Sequence, residues 1–180
     1  MFGDNAVTDF PSHVEIGPRE YIETIGIEFD VMHEGLIIEH RPGFTFTWRD
    51  SLERTRISGD HTPSLVDPDI AEKCGGGTAE ILQTWILGSL ASMTTRAFGR
   101  VTANLGWENA VFETPTLDGD TMFAESKVLD KRESKSRPNQ GILHIATRGV
   151  TRKNAEICRF ERRLLIYRGA QEPHKKAGYA

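Results

Sequence analysis

The segment from Ala79 to Phe98 constrains this chain more than any other. Leu82, Ile86, Leu90, Met93 and Ala97 recur at spacings of three and four, the period of an α-helix. Ile81, Trp85 and Leu87 carry the apolar surface well around the cylinder, so the helix is expected to be buried on most sides. Gly88, Ser89, Ala91 and Ser92 are small enough to let a backbone or a wrapped sheet come close. After this helix the pattern holds only strands, roughly Thr102 to Phe112, Thr121 to Lys131, Gly141 to Val150 and Glu156 to Arg168. Asp118-Gly119, Pro138-Asn139 and Lys153-Asn154 supply the turns between them. In the last strand Cys158, Phe160, Leu164 and Ile166 alternate with Arg159, Glu161 and Arg163, while Arg162 interrupts the apolar set. A helix of about 20 residues is ~30 Å long, and strands of about ten residues span a similar length. The expected fold is therefore α+β, one antiparallel sheet wrapped around one long central helix.

Upstream of the helix, residues 1–35 lack sustained periodicity and read as an arm, with Tyr21, Ile25, Ile27 and Phe29 packing part of it on the domain. GLIIEHR and FTFTW flank Pro42-Gly43, a turn signal that predicts a hairpin or strand pair. WRDSLERTRI predicts a short helix with Trp48 and Leu52 on one face. The loop SGDHTPSLVDP then breaks regular structure. Residues 36–168 make one domain, and 169–180 a polar tail.

Composition narrows the function classes. Lys and Arg total 22 against 26 Asp and Glu, so no broad cationic face for nucleic acid is expected. Cys74 and Cys158 are the two cysteines, without a CxxC pair or a His/Cys cluster at ligand spacing. Neither a disulfide framework nor a metal site is indicated, and a reducing cytoplasm fits. The first residues carry acidic groups and no apolar stretch of signal-peptide length, and no run is long enough to span a bilayer.

Several segments, in order, resemble a known family. TANLGW, the GDT at Gly119 to Thr121, ESKSRP, and the frame GD..P..VDP.IA from Gly59 to Ala71 are similar to the MaoC-like acyl-CoA hydratases and dehydratases of the hot dog fold. The likeness is strongest to the branch that includes mesaconyl-CoA hydratase, and it covers roughly Leu36 to Arg168. It implies an acyl-CoA or other acyl thioester substrate, with coenzyme A as part of the substrate and no separate cofactor or metal. It also implies a homodimer or higher oligomer. Hydration in such a site combines general acid–base catalysis with stabilisation of an enolate-like oxyanion.

Carried over residue by residue, the resemblance breaks at one place. Asp60, Pro63, Val66, Asp67 and Ala71 fall where the family has its acid or amide, proline, aliphatic residue, aspartate and alanine. Leu65 falls where it has a catalytic histidine, and a leucine moves no proton. Ala79 and Glu80 stand where the family has an Asn-Gly pair, whose glycine would help form the oxyanion hole. Catalytic candidates are thus Asp60, His61 and Glu80, with Gly76, Gly77, Leu65, Lys135 and Arg137 as substrate contacts.

Each candidate has a plain structural reading beside the functional one. Asp60 can activate water or cap its own turn. His61 can replace the missing imidazole or lie elsewhere on the loop. Glu80 can act as acid or base, or sit in the helix's first turn where the dipole favours it. The run from Gly75 to Gly77 can cradle an oxyanion or merely connect. Lys135 and Arg137 can meet coenzyme A phosphates or face water. Asp67 reads as an N-cap before Pro68, and His33, His40 and His144 as structural or exposed. Three functions stay open: an acyl-CoA hydratase or dehydratase, a non-catalytic hot dog subunit of a heteromer, and a hot dog enzyme turned to thioester hydrolysis or metabolite tailoring.

Overall fold

The computed structural model describes residues 12–74, 80–169 and 173–178. A small hairpin opens it, β1 (His13–Gly17) with β2 (Glu20–Glu23). Then come β3 (Ile37–Thr45), α1 (Trp48–Ser58), α2 (Pro63–Val66), α3 (Pro68–Lys73) and α4 (Gln83–Met93). Four long strands follow, β4 (Val101–Phe112), β5 (Thr121–Glu133), β6 (Gln140–Val150) and β7 (Glu156–Tyr167), before the short α5 (Pro173–Lys176). The main sheet has the order β3-β5-β6-β7-β4, antiparallel throughout. The α+β sheet-and-helix architecture expected from the sequence is the one observed. Among the described residues, no helix is long and apolar enough to cross a membrane.

Three local expectations are corrected. Pro42-Gly43 makes no hairpin: β3 is one strand, and its register against β5 slips between His40 and Phe44. An edge strand accommodates proline because the missing N–H faces no neighbour. The central helix is an 11-residue segment, not one of about 20. Tertiary partners set its start, since Glu80 bridges to Leu117, the Ile81 N–H donates to Thr116 O, and the Leu82 N–H donates to Ser51 Oγ. Those bonds hold residues 80–82 extended. At the other end the Thr94 and Thr95 hydroxyls donate to the carbonyls of Ala91 and Ser92, closing the last turn. Tyr21 is 62% exposed instead of packed, whereas Phe29 and Met32 are buried in the core. Phe29 lies so close to the β6 backbone that a Cβ at Gly141 would stand 2.2 Å from its ring.

Two apolar clusters fill the space between sheet and helix. One joins Phe46, Ile86, Leu90, Met122 and Phe160. The other joins Phe29, Phe98, Val128, Leu143, Ile145 and Leu164. A buried polar layer runs between them, because alternation along each strand brings one polar side chain to the same level: His40 on β3, Ser126 on β5, Thr147 on β6 and Arg162 on β7. His40 Nε2 lies 2.9 Å from Ser126 Oγ, which lies 2.9 Å from Thr147 Oγ1. Arg162, the residue that broke the alternation, donates from Nη2 to Thr94 Oγ1 at 2.9 Å and lies over the rings of Trp107 and Phe160. The end of α4 and two aromatic faces thus receive its charge.

Candidate functional site

The loop after α1 is shaped by its own short-range bonds. Gly59 ends the helix in the left-handed conformation, φ 71°, and its N–H donates to Thr55 O. Glycine suits this position because it carries no Cβ penalty there. Asp60 follows, and its Oδ1 accepts both the Thr62 N–H at 3.0 Å and the Thr62 hydroxyl at 2.7 Å. Neither contact uses Oδ2. The Thr62 backbone and side-chain bonds, with a smaller contribution from His61, hold the Asp60 carboxyl below its ordinary range. It is therefore an ionised acceptor at neutral pH. Leu65 lies half-buried in α2, whose Pro63 occupies the first turn. Asp67 caps α3, accepting from the Asp69 and Ile70 N–H groups, as its place before Pro68 led one to expect.

The structure brings some candidates together and separates others. Asp60 and His61 are adjacent and interact electrostatically. Glu80 is exposed and sits in the bridge to Leu117, outside the first turn of α4, so the helix-dipole reading does not apply to it. Gly76 and Gly77 lie outside the described residues. Lys135 and Arg137 are exposed in the turn between β5 and β6. The 13-residue β5 separates that turn from the Leu117 loop, a distance of roughly 40 Å. Lys135 and Arg137 therefore stand at the opposite end of the sheet from Glu80.

A cavity of about 940 Å³ opens between α1, α4 and β3, lined among others by Arg41, Phe44, Arg54, Trp85, Gly88 and Ser92. Its size is within the range of small-molecule sites. Gly88 faces open space here, not a sheet. The small residues of α4 make room in a groove instead of admitting a neighbouring backbone, which the sequence alone did not indicate. Trp85 forms one wall, set edge-on to Phe44 and Phe46 at 6.0 and 5.2 Å. Ser58, two residues before Asp60, also lines it, whereas Asp60, His61, Leu65 and Glu80 do not. A larger groove of about 1430 Å³ lies between the β1–β2 hairpin, β3 and the turn after α4; it holds none of the sequence candidates. Cys158 is no nucleophile, since burial and neighbouring Glu156 push its thiol up to about 11.

Comparison with known proteins bears on this geometry. The family model described as mesaconyl-CoA hydratase matches residues 7–178. The curated mesaconyl-CoA hydratase of Haloarcula hispanica is 26% identical over 129 residues, which is 71% of this chain and 36% of that protein. The chain thus spans little more than a third of the curated relative's length. Among solved structures, a Mycobacterium tuberculosis protein described as a double hotdog fold superposes with a TM-score of 0.75 at 20% identity, covering 82% of this chain and 46% of that one. An R-hydratase from Pseudomonas aeruginosa gives 0.65 at 18% identity, covering 80% and 88%. At these identities the structures establish the hot dog fold.

Proposed function

The chain belongs to the mesaconyl-CoA hydratase family of MaoC-like hot dog proteins, and on that premise we propose that it acts on a 2-enoyl thioester of coenzyme A, adding or removing water. The family match over residues 7–178 carries this reading. The loop and the groove beside α4 supply the chemistry. The acyl chain lies against Trp85 and Phe44 in the groove, whose wall carries Asp50 and Glu53 as well as Arg41 and Arg54, with Arg41 paired to Glu39.

Asp60 lies two residues beyond Ser58 at the edge of the groove, and this reading has the acyl group reach past that edge, where Asp60 Oδ2 accepts a proton from the attacking water. The water oxygen bonds to the β-carbon, the double-bond electrons move toward the α-carbon and thioester oxygen, and a proton is returned to the α-carbon. Leu65 takes no part in the proton transfers, so His61 or Glu80 serves as the second group. General acid–base help contributes about 10² to 10⁴ in rate, so a chain lacking it forfeits roughly 3 to 5 kcal/mol of barrier lowering. Two free cysteines, one exposed and one buried, suit a cytoplasmic setting.

The decisive experiment is steady-state hydration of crotonyl-CoA and mesaconyl-CoA. Slow turnover by the wild type, a loss of about 100-fold in Asp60→Asn and a gain in Leu65→His are expected. Full turnover in Asp60→Asn removes Asp60 from the mechanism, and fast wild-type turnover that falls in Leu65→His refutes the role assigned to position 65.

A second reading rests on Leu65. Leucine where the resemblance places a histidine fits a silent unit whose partner holds the intact pair. Either way the partner pairs along β4, an edge strand on which Leu105 is 51% and Trp107 44% exposed. Sedimentation showing only monomer at micromolar concentration would sink the pairing.

A further inference from the structure

The outer face of the sheet holds a cluster that the hydration chemistry does not use. Glu108 on β4, His144 on β6 and Glu161 on β7 come from three neighbouring strands, and one ligand atom from each lies within 4.8 Å of the other two. Glu108 and Glu161 are direct cross-strand partners. His144 Nε2 is a buried atom 2.7 Å from Glu161 Oε2, yet it lies off the hydrogen-bond axis and has no aligned partner. An imidazole nitrogen left in this state, with a carboxylate oxygen of each glutamate within 4.8 Å, is a ligand atom not committed to a hydrogen bond.

The carboxylates are themselves steered from outside the cluster. Glu161 Oε1 accepts from Asn109 Nδ2 at 3.0 Å, leaving Oε2 toward the imidazole. Arg163 pairs with Glu108 through Oε1, leaving Oε2. Asn109 has φ 53° and sits where β4 slips register between Glu108 and Val111. That bulge is what turns its amide toward Glu161. Glu108 and Glu161 against the single guanidinium of Arg163 leave a net negative charge beside the imidazole.

We propose that Glu108, His144 and Glu161 bind one divalent transition-metal ion of the zinc type, with the fourth position open to water. The mixture of imidazole nitrogen and carboxylate oxygen suits a borderline ion better than calcium or magnesium, which prefer oxygen alone. Tetrahedral bonds of about 2.1 Å place ligand atoms about 3.4 Å apart, so a shift of about 1 Å closes the site. Exposed Glu108 supplies that movement without disturbing the core. Asn109 and Arg163 act as outer partners that orient the ligands.

The test uses the 180-residue chain without a histidine tag, stripped with EDTA and dialysed. It is titrated with Zn²⁺ by calorimetry and with Co²⁺ by visible absorption. One ion per chain is expected, with four-coordinate cobalt bands. His144→Ala and Glu161→Gln each weaken binding by about 100-fold, and Asn109→Ala by about 10-fold. Glu108→Gln alters an exposed side chain and decides the matter should either of the other variants fail to fold; a loss of about 10-fold or more there supports the site. No binding up to millimolar zinc overturns the proposal. So does stoichiometric binding that Glu108→Gln and His144→Ala leave unchanged, because the ion then sits elsewhere.

Discussion

The inner face of the sheet and the loop after α1 are built on opposite plans. On the inner face His40 reaches Ser126 across 86 residues of sequence, Ser126 reaches Thr147 across 21, and Arg162 reaches Thr94 across 68. On the loop, Asp60 bonds to Thr62 two residues on, and Asp67 to Asp69 and Ile70. Side chains on the inner face are thus fixed by the whole fold, whereas the loop shapes itself. A self-shaped loop tolerates an exchange at a single half-buried position such as Leu65 without unfolding the domain.

Paired truncations give the largest contrast. Leu90 is fully buried under the sheet, so Leu90→Ala is expected to lose about 2–5 kcal/mol of stability, whereas Leu65→Ala on the half-buried loop loses under about 1 kcal/mol. Urea unfolding of the two variants compares them, and equal losses would erase the distinction.

Acid probes the polar layer next. Burial, with the charge of Arg162 adding to it, lowers His40 from 6.5 to about 4. The unfolded chain takes up this proton more readily than the folded one. The contribution is therefore complete above pH 6.5, falls as pH drops toward 4, and changes no further below that. Its full size is roughly 3 kcal/mol. Denaturant midpoints between pH 7 and 4 measure it, and His40→Gln should flatten that part of the profile.

Ser126→Ala removes the hydroxyl between His40 and Thr147 and is expected to cost about 1–3 kcal/mol. The smallest effect belongs to the loop: Asp60→Asn keeps an acceptor oxygen and changes stability by about 0.5 kcal/mol or less. The same variant is the one expected to lose about 100-fold in turnover. A large loss of stability there would mean that Asp60 is a structural cap first.

The long strands and the helix α4 were legible because their apolar periods are sustained, but burial on most sides of that helix was not borne out: Ile86, Ser89 and Leu90 are buried while Thr84, Gly88 and Ser92 are exposed. The ends of α4 were not, since they are set by Ser51 and Thr116, which no local pattern associates with residues 80–82. Pro42-Gly43 carries a turn signal that an edge strand overrides with a bulge. Arg162 read as an interruption because its partners, Thr94 and Trp107, come from other elements. At the candidate site the loop frame from Gly59 to Ala71 was visible through family likeness, and Asp67 through its position before proline. The groove was not, because it depends on Gly88 facing away from the sheet. Sequence spacing also left His144 without companions, while the strand order places Glu108 and Glu161 beside it.

The irregularity of β3 bears on how many copies can join. A sheet with two receptive margins adds strands at both and grows into a filament. Here one margin carries Pro42, without an N–H, at a point where the register slips, and the other is β4 with its exposed Leu105 and Trp107. β4 in turn slips register against β7 at three points, one of them between Glu108 and Val111. Neither margin offers a further chain an unbroken ladder, which opposes open-ended growth.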